Sequence, residues 1–142
     1  MNRQAELIIK KLKNRGERIT AIRSNLIKIF CQFPQPKSIQ ELLKILSKKG
    51  TPANKTTVYR QLEILLQQKI IQEVNFADHL SRYELTPATH HHHLICENCH
   101  MVEDVHLKND LQRQENNIWK KNKFKVLQHS LEFFGLCQTC QK

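Results

Sequence analysis

The sequence predicts an α+β protein, an N-terminal winged helix-turn-helix followed by a small C-terminal α/β module, and three observations predict it. Apolar residues recur at helical spacing through the first half and then give way to two short alternating segments. Basic charge is concentrated in residues 1–86, which hold 16 Lys or Arg against 7 Asp or Glu, whereas the remainder holds 7 and 6. Cysteine is skewed the other way, with Cys96, Cys99, Cys137 and Cys140 late in the chain and only Cys31 early. Two compositions indicate two modules, 1–86 and 90–142, joined by a short hinge at 87–89. Pro87 disfavours a helix running into that hinge.

Taken in order, Leu7, Ile8 and Leu12 mark a first helix, and Ile22, Leu26, Ile29 and Phe30 mark a second behind a capping Thr20. Pro34 and Pro36 break the pattern. Ser38 and Glu41 then form a capping box, each side chain able to satisfy an orphan backbone N–H, for a helix that turns Ile39, Leu42, Leu43 and Leu46 inward and stops near Gly50. The next stripe, Val58, Leu62, Leu65 and Leu66, leaves Asn54, Lys55, Thr56, Thr57, Tyr59 and Arg60 largely off the apolar face. Ile70–Phe76 and Arg82–Thr86 make a hairpin. In the second module His91–Cys96 and Met101–Val105 read as strands. Lys108–Lys121 reads as a polar helix with Leu111, Ile118 and Trp119 inside, and Phe124–Phe134 as a long β-rich run. So short a module makes a poor core, and a metal, a dimer partner or both are expected to supply the missing stability.

The chain has 142 residues and 39% hydrophobic content, which supports only modest cores and excludes a large multi-lobed enzyme. No apolar run approaches a membrane span, and Met1–Lys13 is charged, so the protein reads as soluble and cytoplasmic. A net charge of +10 makes a polyanion the first partner to consider. A helix that opens with small polar and basic side chains can enter a major groove and meet base edges and phosphates, which makes Lys55, Thr57, Tyr59 and Arg60 candidate DNA contacts. A plain solvated helix face is the competing reading.

The strongest chemical signal is the pair of C-x-x-C motifs, Cys96/Cys99 and Cys137/Cys140. Four thiolates close a tetrahedral zinc site with no open position, which is a structural site. Disulfides are disfavoured in a reducing cytoplasm, and a thioredoxin-like pair needs no second motif. The second signal is His90, His91, His92 and His93, with His100, His106 and His129 elsewhere in the module. On a strand, His91 and His93 point one way and His90 and His92 the other, so one run can feed two metal sites. A tag remnant or solvated surface histidines are the alternatives. Imidazole with carboxylate suits zinc, iron, nickel or manganese alike.

These residues resemble the ferric uptake regulator (Fur) family of bacterial metal-dependent transcription factors. The resemblance runs through Arg18, Ile19, Thr20 and Arg23, then Thr57 to Leu62, then Tyr83, Glu84 and Leu85, then the histidine run into Leu94 to Cys99, and ends with His129, Ser130, Cys137 and Cys140. It implies a DNA-binding winged helix, an α/β dimerisation domain, and metal-dependent binding to an inverted-repeat operator in duplex DNA, usually as a repressor. By the same resemblance Tyr59 and Arg60 match recognition-helix contacts, Arg18 a minor-groove contact, and the four cysteines a structural Zn2+ site. Glu84, His91, His93 and Asp104 match a regulatory site for Fe2+, Zn2+ or Mn2+, while His90, His92 and His129 match a further site. The family pattern also places a histidine at the region of Gln35 and Pro36, where this chain has none, and an acidic ligand on the C-terminal helix, which falls near Gln112.

One ion held by Glu84 and the histidines beyond the hinge would fix the angle between modules. In a twofold dimer that angle sets the separation of two recognition helices, which must match half-sites about 34 to 36 Å apart or a multiple. A homodimer or tetramer fits this expectation, with no membrane partner. Two other classes stand beside the regulator: a zinc-ribbon protein that binds RNA or stores metal, and a zinc hydrolase using Glu103 or Asp104, for which no HExxH-like spacing exists. Cys31 reads as a small core residue.

Overall fold

A computed structural model describes residues 3–76, 80–86, 91–108 and 111–141. The chain divides into two compact units, Met1–Thr86 and Pro87–Lys142. The expected hinge at 87–89 and His90 lie outside the described residues.

The first unit contains α1 (Arg3–Asn14), α2 (Ala21–Gln32), β1 (Lys37–Ser38), α3 (Ile39–Lys48), α4 (Lys55–Gln67), β2 (Ile71–Asn75) and β3 (Ser81–Leu85). Its core gathers Leu12, Leu26, Ile27, Phe30, Leu42, Leu46, Val58, Leu62 and Leu65, so all four helices share one apolar centre. In α1 the buried stripe runs through Ala5 and Leu12, with Ile8 and Ile9 half-buried, and Leu7 is left exposed. The i, i+3/i+4, i+7 spacing from Ala5 explains this, because Leu7 falls off that line. The three strands form an antiparallel sheet in the order β1-β3-β2, with Ile71 opposite Leu85 and Lys37 opposite Tyr83. Two residues carry no periodicity, so β1 exists only through its pairing with β3.

Local chemistry sets the helix starts. The Thr20 side chain accepts from the Arg23 backbone N–H, and Asn54 does the same for Thr57 at 2.8 Å. At α3 the box is reciprocal, with Ser38 Oγ accepting from Glu41 N at 3.3 Å and Glu41 Oε2 accepting from Ser38 N at 2.8 Å. Ser38→Ala is expected to destabilise the first unit by about 1 kcal/mol. Urea unfolding followed by circular dichroism checks this, and an unmoved midpoint contradicts it.

The second unit contains β4 (His92–Cys96), β5 (Val102–Val105), α5 (Gln112–Asn122) and β6 (Glu132–Gly135). Its sheet order is β5-β4-β6, antiparallel between β4 and β5 and parallel between β4 and β6. A parallel pair needs a crossover, and α5 lies within it. Three expectations are corrected. The helix starts at Gln112 rather than Lys108. Ile118 and Trp119 are 39% and 51% exposed rather than inside, because α5 has no buried residue in this chain. The β-rich run is a strand only over Glu132–Gly135, since strand propensity needs a partner and β4 pairs with this chain only from Glu132 onward.

Candidate metal centres and nucleic-acid face

The two C-x-x-C turns meet because of sheet register. β4 and β6 run parallel with Cys96 opposite Gly135, so the turns that follow them leave the sheet at the same end. The first turn is closed by His100 N donating to Cys96 O at 2.9 Å, and the second by Cys140 N donating to Cys137 O at 2.9 Å. The four Sγ atoms of Cys96, Cys99, Cys137 and Cys140 all lie within 4.8 Å of one another. Cys99 and Cys137 Sγ are 3.7 Å apart, much farther than a disulfide bond of about 2.05 Å. Thiolates about 2.3 Å from a tetrahedral zinc ion are separated by about 3.8 Å, so the donor set fits zinc.

Electrostatics agree with that chemistry. The Cys137 backbone N–H, reaching Cys96 Sγ at 3.4 Å, and then that of Cys99 hold the Cys96 thiol down to about 6. For Cys140 the Asn98 side chain pulls downward, but Cys137, burial and the other thiols outweigh it and push Cys140 up to about 11. Cys99 is pulled down by the Met101 amide yet raised on balance by Cys96, burial and Cys137. A thiolate beside protonated Cys99 and Cys140 is a set that a divalent cation completes by displacing protons.

A second donor set lies in the same unit. His93 on β4 sits opposite Asp104 on β5, and His91 is two residues earlier on the same side of the strand path. His91 and His93 Nε2 approach Asp104 Oδ1 to 3.9 and 3.8 Å, with the imidazole rings 5.0 Å apart and nearly perpendicular. Ligand atoms of these three residues fall within 4.8 Å of one another. The mixed nitrogen and oxygen set fits iron, zinc or manganese. His106, two residues beyond Asp104, brings its ring to 6.0 Å from His91. Glu84 is on β3 of the first unit, fully buried, and its Oε1 accepts from Gln72 Nε2 at 2.7 Å.

His92 faces the other way and its ring is 5.5 Å from that of His129. His129 Nδ1 is 2.7 Å from Glu115 Oε1. The acidic partner on α5 is therefore Glu115 and not the Gln112 position. One helical turn separates the two, so both project from the same side and three-residue spacing is the signal that finds Glu115.

On the first unit, α4 turns Val58, Leu62 and Leu65 inward and leaves Lys55, Thr56, Tyr59, Arg60 and Glu63 exposed, with Thr57 half-buried. The Lys55 ammonium lies 5.8 Å from the Tyr59 ring centre, which is 43% exposed as a residue. Arg18 is exposed in the linker between α1 and α2. Cys31 is half-buried against the helical core, and burial pushes its thiol up, as suits a packing residue.

Residues 14–134 match the model of the ferric uptake regulator family. The chain is 31% identical over 145 residues to the ferric uptake regulation protein of Bacillus subtilis, covering 99% of this chain and 96% of that protein. It is 30% identical to the peroxide operon regulator of the same organism, over 94% of this chain and 91% of that one. Among solved structures, the ferric uptake regulator of Vibrio cholerae superposes with a TM-score of 0.76 at 29% identity, over 90% of this chain and 98% of that one.

Proposed function

Because this chain belongs to the ferric uptake regulator family and is a metal-responsive transcriptional regulator, we propose that it is a repressor that binds an inverted-repeat operator as a homodimer when its regulatory metal is bound. The observation that carries this reading is the coexistence of two chemically different donor sets in one small unit. An all-thiolate set is closed and serves architecture, whereas a histidine and carboxylate set leaves positions for a further ligand and exchanges its ion more readily. Cys96, Cys99, Cys137 and Cys140 hold the structural zinc. His91, His93 and Asp104 hold the regulatory ion, with Glu84 contributed from the first unit. His92, His129 and Glu115, with His90, form a further site.

A regulatory ion held by these residues would supply the positive charge that draws their donors together. His93 and Asp104 would offer donors from two paired strands and His91 from the residue just before β4, and Glu84 would be the carboxylate supplied by the DNA-binding unit. Recruiting Glu84 would select one arrangement of the units and hence one spacing of two recognition helices. Lys55, Thr57, Tyr59 and Arg60 on α4 would read the major groove, and Arg18 would reach the minor groove. A second copy is supported by the apolar side chains the second unit leaves in water, among them Trp119, Phe124, Leu127 and Phe134. No helix among the described residues is long and apolar enough to cross a membrane, and the cytoplasm is the compartment we assign.

Fluorescence anisotropy tests the reading on protein that holds only its cysteine-site zinc. Titration with ferrous iron, manganese and zinc under anaerobic conditions is expected to restore tight, sequence-specific duplex binding with at least one metal. Equal affinity with every metal and with chelator would refute it.

A further inference from the structure

We propose that Arg23 and Gln61 are positioning residues for DNA recognition, clamping the linker that carries Arg18 onto α4 so that the minor-groove and major-groove contacts are held in fixed register. The inference rests on the DNA-binding reading above and goes beyond it, because neither residue is assigned a contact with the operator. Arg23 is a charged side chain only 4% exposed, and such a group is tolerated inside a small core only when its donors are engaged. Its Nε donates to Gln61 Oε1 at 2.9 Å, and its Nη1 reaches Glu17 Oε2 at 3.1 Å and also donates to the backbone carbonyl of Arg18. One planar fork thus joins α2, the α1–α2 linker and the middle of α4.

A second tether lies farther along α4. Gln68, its C-cap, donates through Nε2 to Glu17 Oε1 at 3.0 Å and accepts from Arg15 Nη1 at 2.9 Å. Gln61 and Gln68 are seven residues apart, two helical turns or about 10.5 Å along the axis. Two anchors at that separation fix the direction of the linker as well as its position. The Arg18 side chain stays exposed while its own carbonyl is held, so its reach is set by the clamp rather than by a free loop. Tyr59 and Arg60 precede Gln61 on the same helix, so the clamp refers the Arg18 contact to the element that reads bases. Ordering the linker in advance lowers the entropy lost on binding.

The test is a double-mutant cycle on the full chain, with its cysteine-site zinc and saturating manganese. The probe is the duplex recovered by selection from a randomised library spanning about three helical turns. Affinities are compared at one salt concentration. Arg18→Ala is expected to weaken binding about tenfold in the otherwise unchanged protein and less than about twofold in a Gln61→Leu background. Gln61→Glu, which keeps an acceptor oxygen for Arg23 Nε, should restore the tenfold effect whatever its added charge does to overall affinity. A residue that merely stabilised the fold would leave the Arg18→Ala factor the same in every background, and that result overturns the clamp. So does an Arg18→Ala factor near one in the unchanged protein. If Gln61→Leu does not fold, Glu17→Ala, which removes the acceptor for both Arg23 Nη1 and Gln68 Nε2, enters the same cycle with the same expectation. Recovery of no duplex by the metal-loaded unchanged protein would instead defeat the DNA-binding reading itself.

Discussion

Cys99→Ser protein is expected to lose its structural zinc and the ordered structure of its second unit while the first unit stays folded. The apolar residues buried in the described part of the second unit are Ile95 and Cys96, against more than a dozen in the first. A structural zinc ion can contribute about 10–16 kcal/mol in small zinc domains, whereas whole domains are stable by about 5–15 kcal/mol. A unit this poor in core cannot absorb the loss of one of four thiolates. Zinc content by mass spectrometry and hydrogen exchange resolved along the sequence check the expectation. Exchange should accelerate across β4, β5 and β6 and remain slow in α2 and α4. A variant with one zinc per chain and native exchange in β4 would sink the structural role. Because Cys99 and Cys140 are held above the ordinary thiol value, zinc binding to the unaltered site must expel protons. Zinc affinity should therefore fall as pH falls.

His93→Ala is expected to abolish the metal dependence of operator binding without disturbing the cysteine-site zinc. His93 is a buried donor of the second set and sits opposite Asp104 across the β4–β5 pair. If the regulatory ion favours the DNA-competent arrangement by roughly 3 kcal/mol, operator affinity differs on the order of a hundredfold with and without it. Removing an imidazole from a set of this size should erase most of that factor, because a ligand shifts an equilibrium only by its differential affinity for the two states. Anisotropy with and without metal measures the factor directly, and zinc content shows that the cysteine site is intact. A His93→Ala protein that still gains a hundredfold on metal addition would place the switch elsewhere.

Much of the first unit is legible in the amino-acid sequence. Thr20, Ser38 and Glu41 announce helix starts through hydrogen bonds made within three residues, Asn54 proves to cap α4 in the same way, and the stripe on α4 follows from 3.6-residue periodicity. Leu7 is the exception, since the line that is buried on α1 starts from Ala5, a residue too small to stand out beside a leucine in an apolar pattern. In the second unit the same reasoning does not reach Ile118 and Trp119. Periodicity says which side of a helix is apolar, but not whether the chain supplies anything to cover it.

The sequence by itself determined the parts of this protein whose physics is short-range: the helix caps, the apolar stripes, two thiol pairs on tight turns, and alternation that sends His91 and His93 one way and His92 the other. Only the tertiary structure decided that the two thiol turns converge, that Glu115 meets His129, that β1 exists and that Arg23 joins the linker to α4. Each of these depends on the register of segments distant in the chain or on a buried side chain choosing among several acceptors. Such choices are set by how strands and helices pack, and no local preference of the chain encodes them.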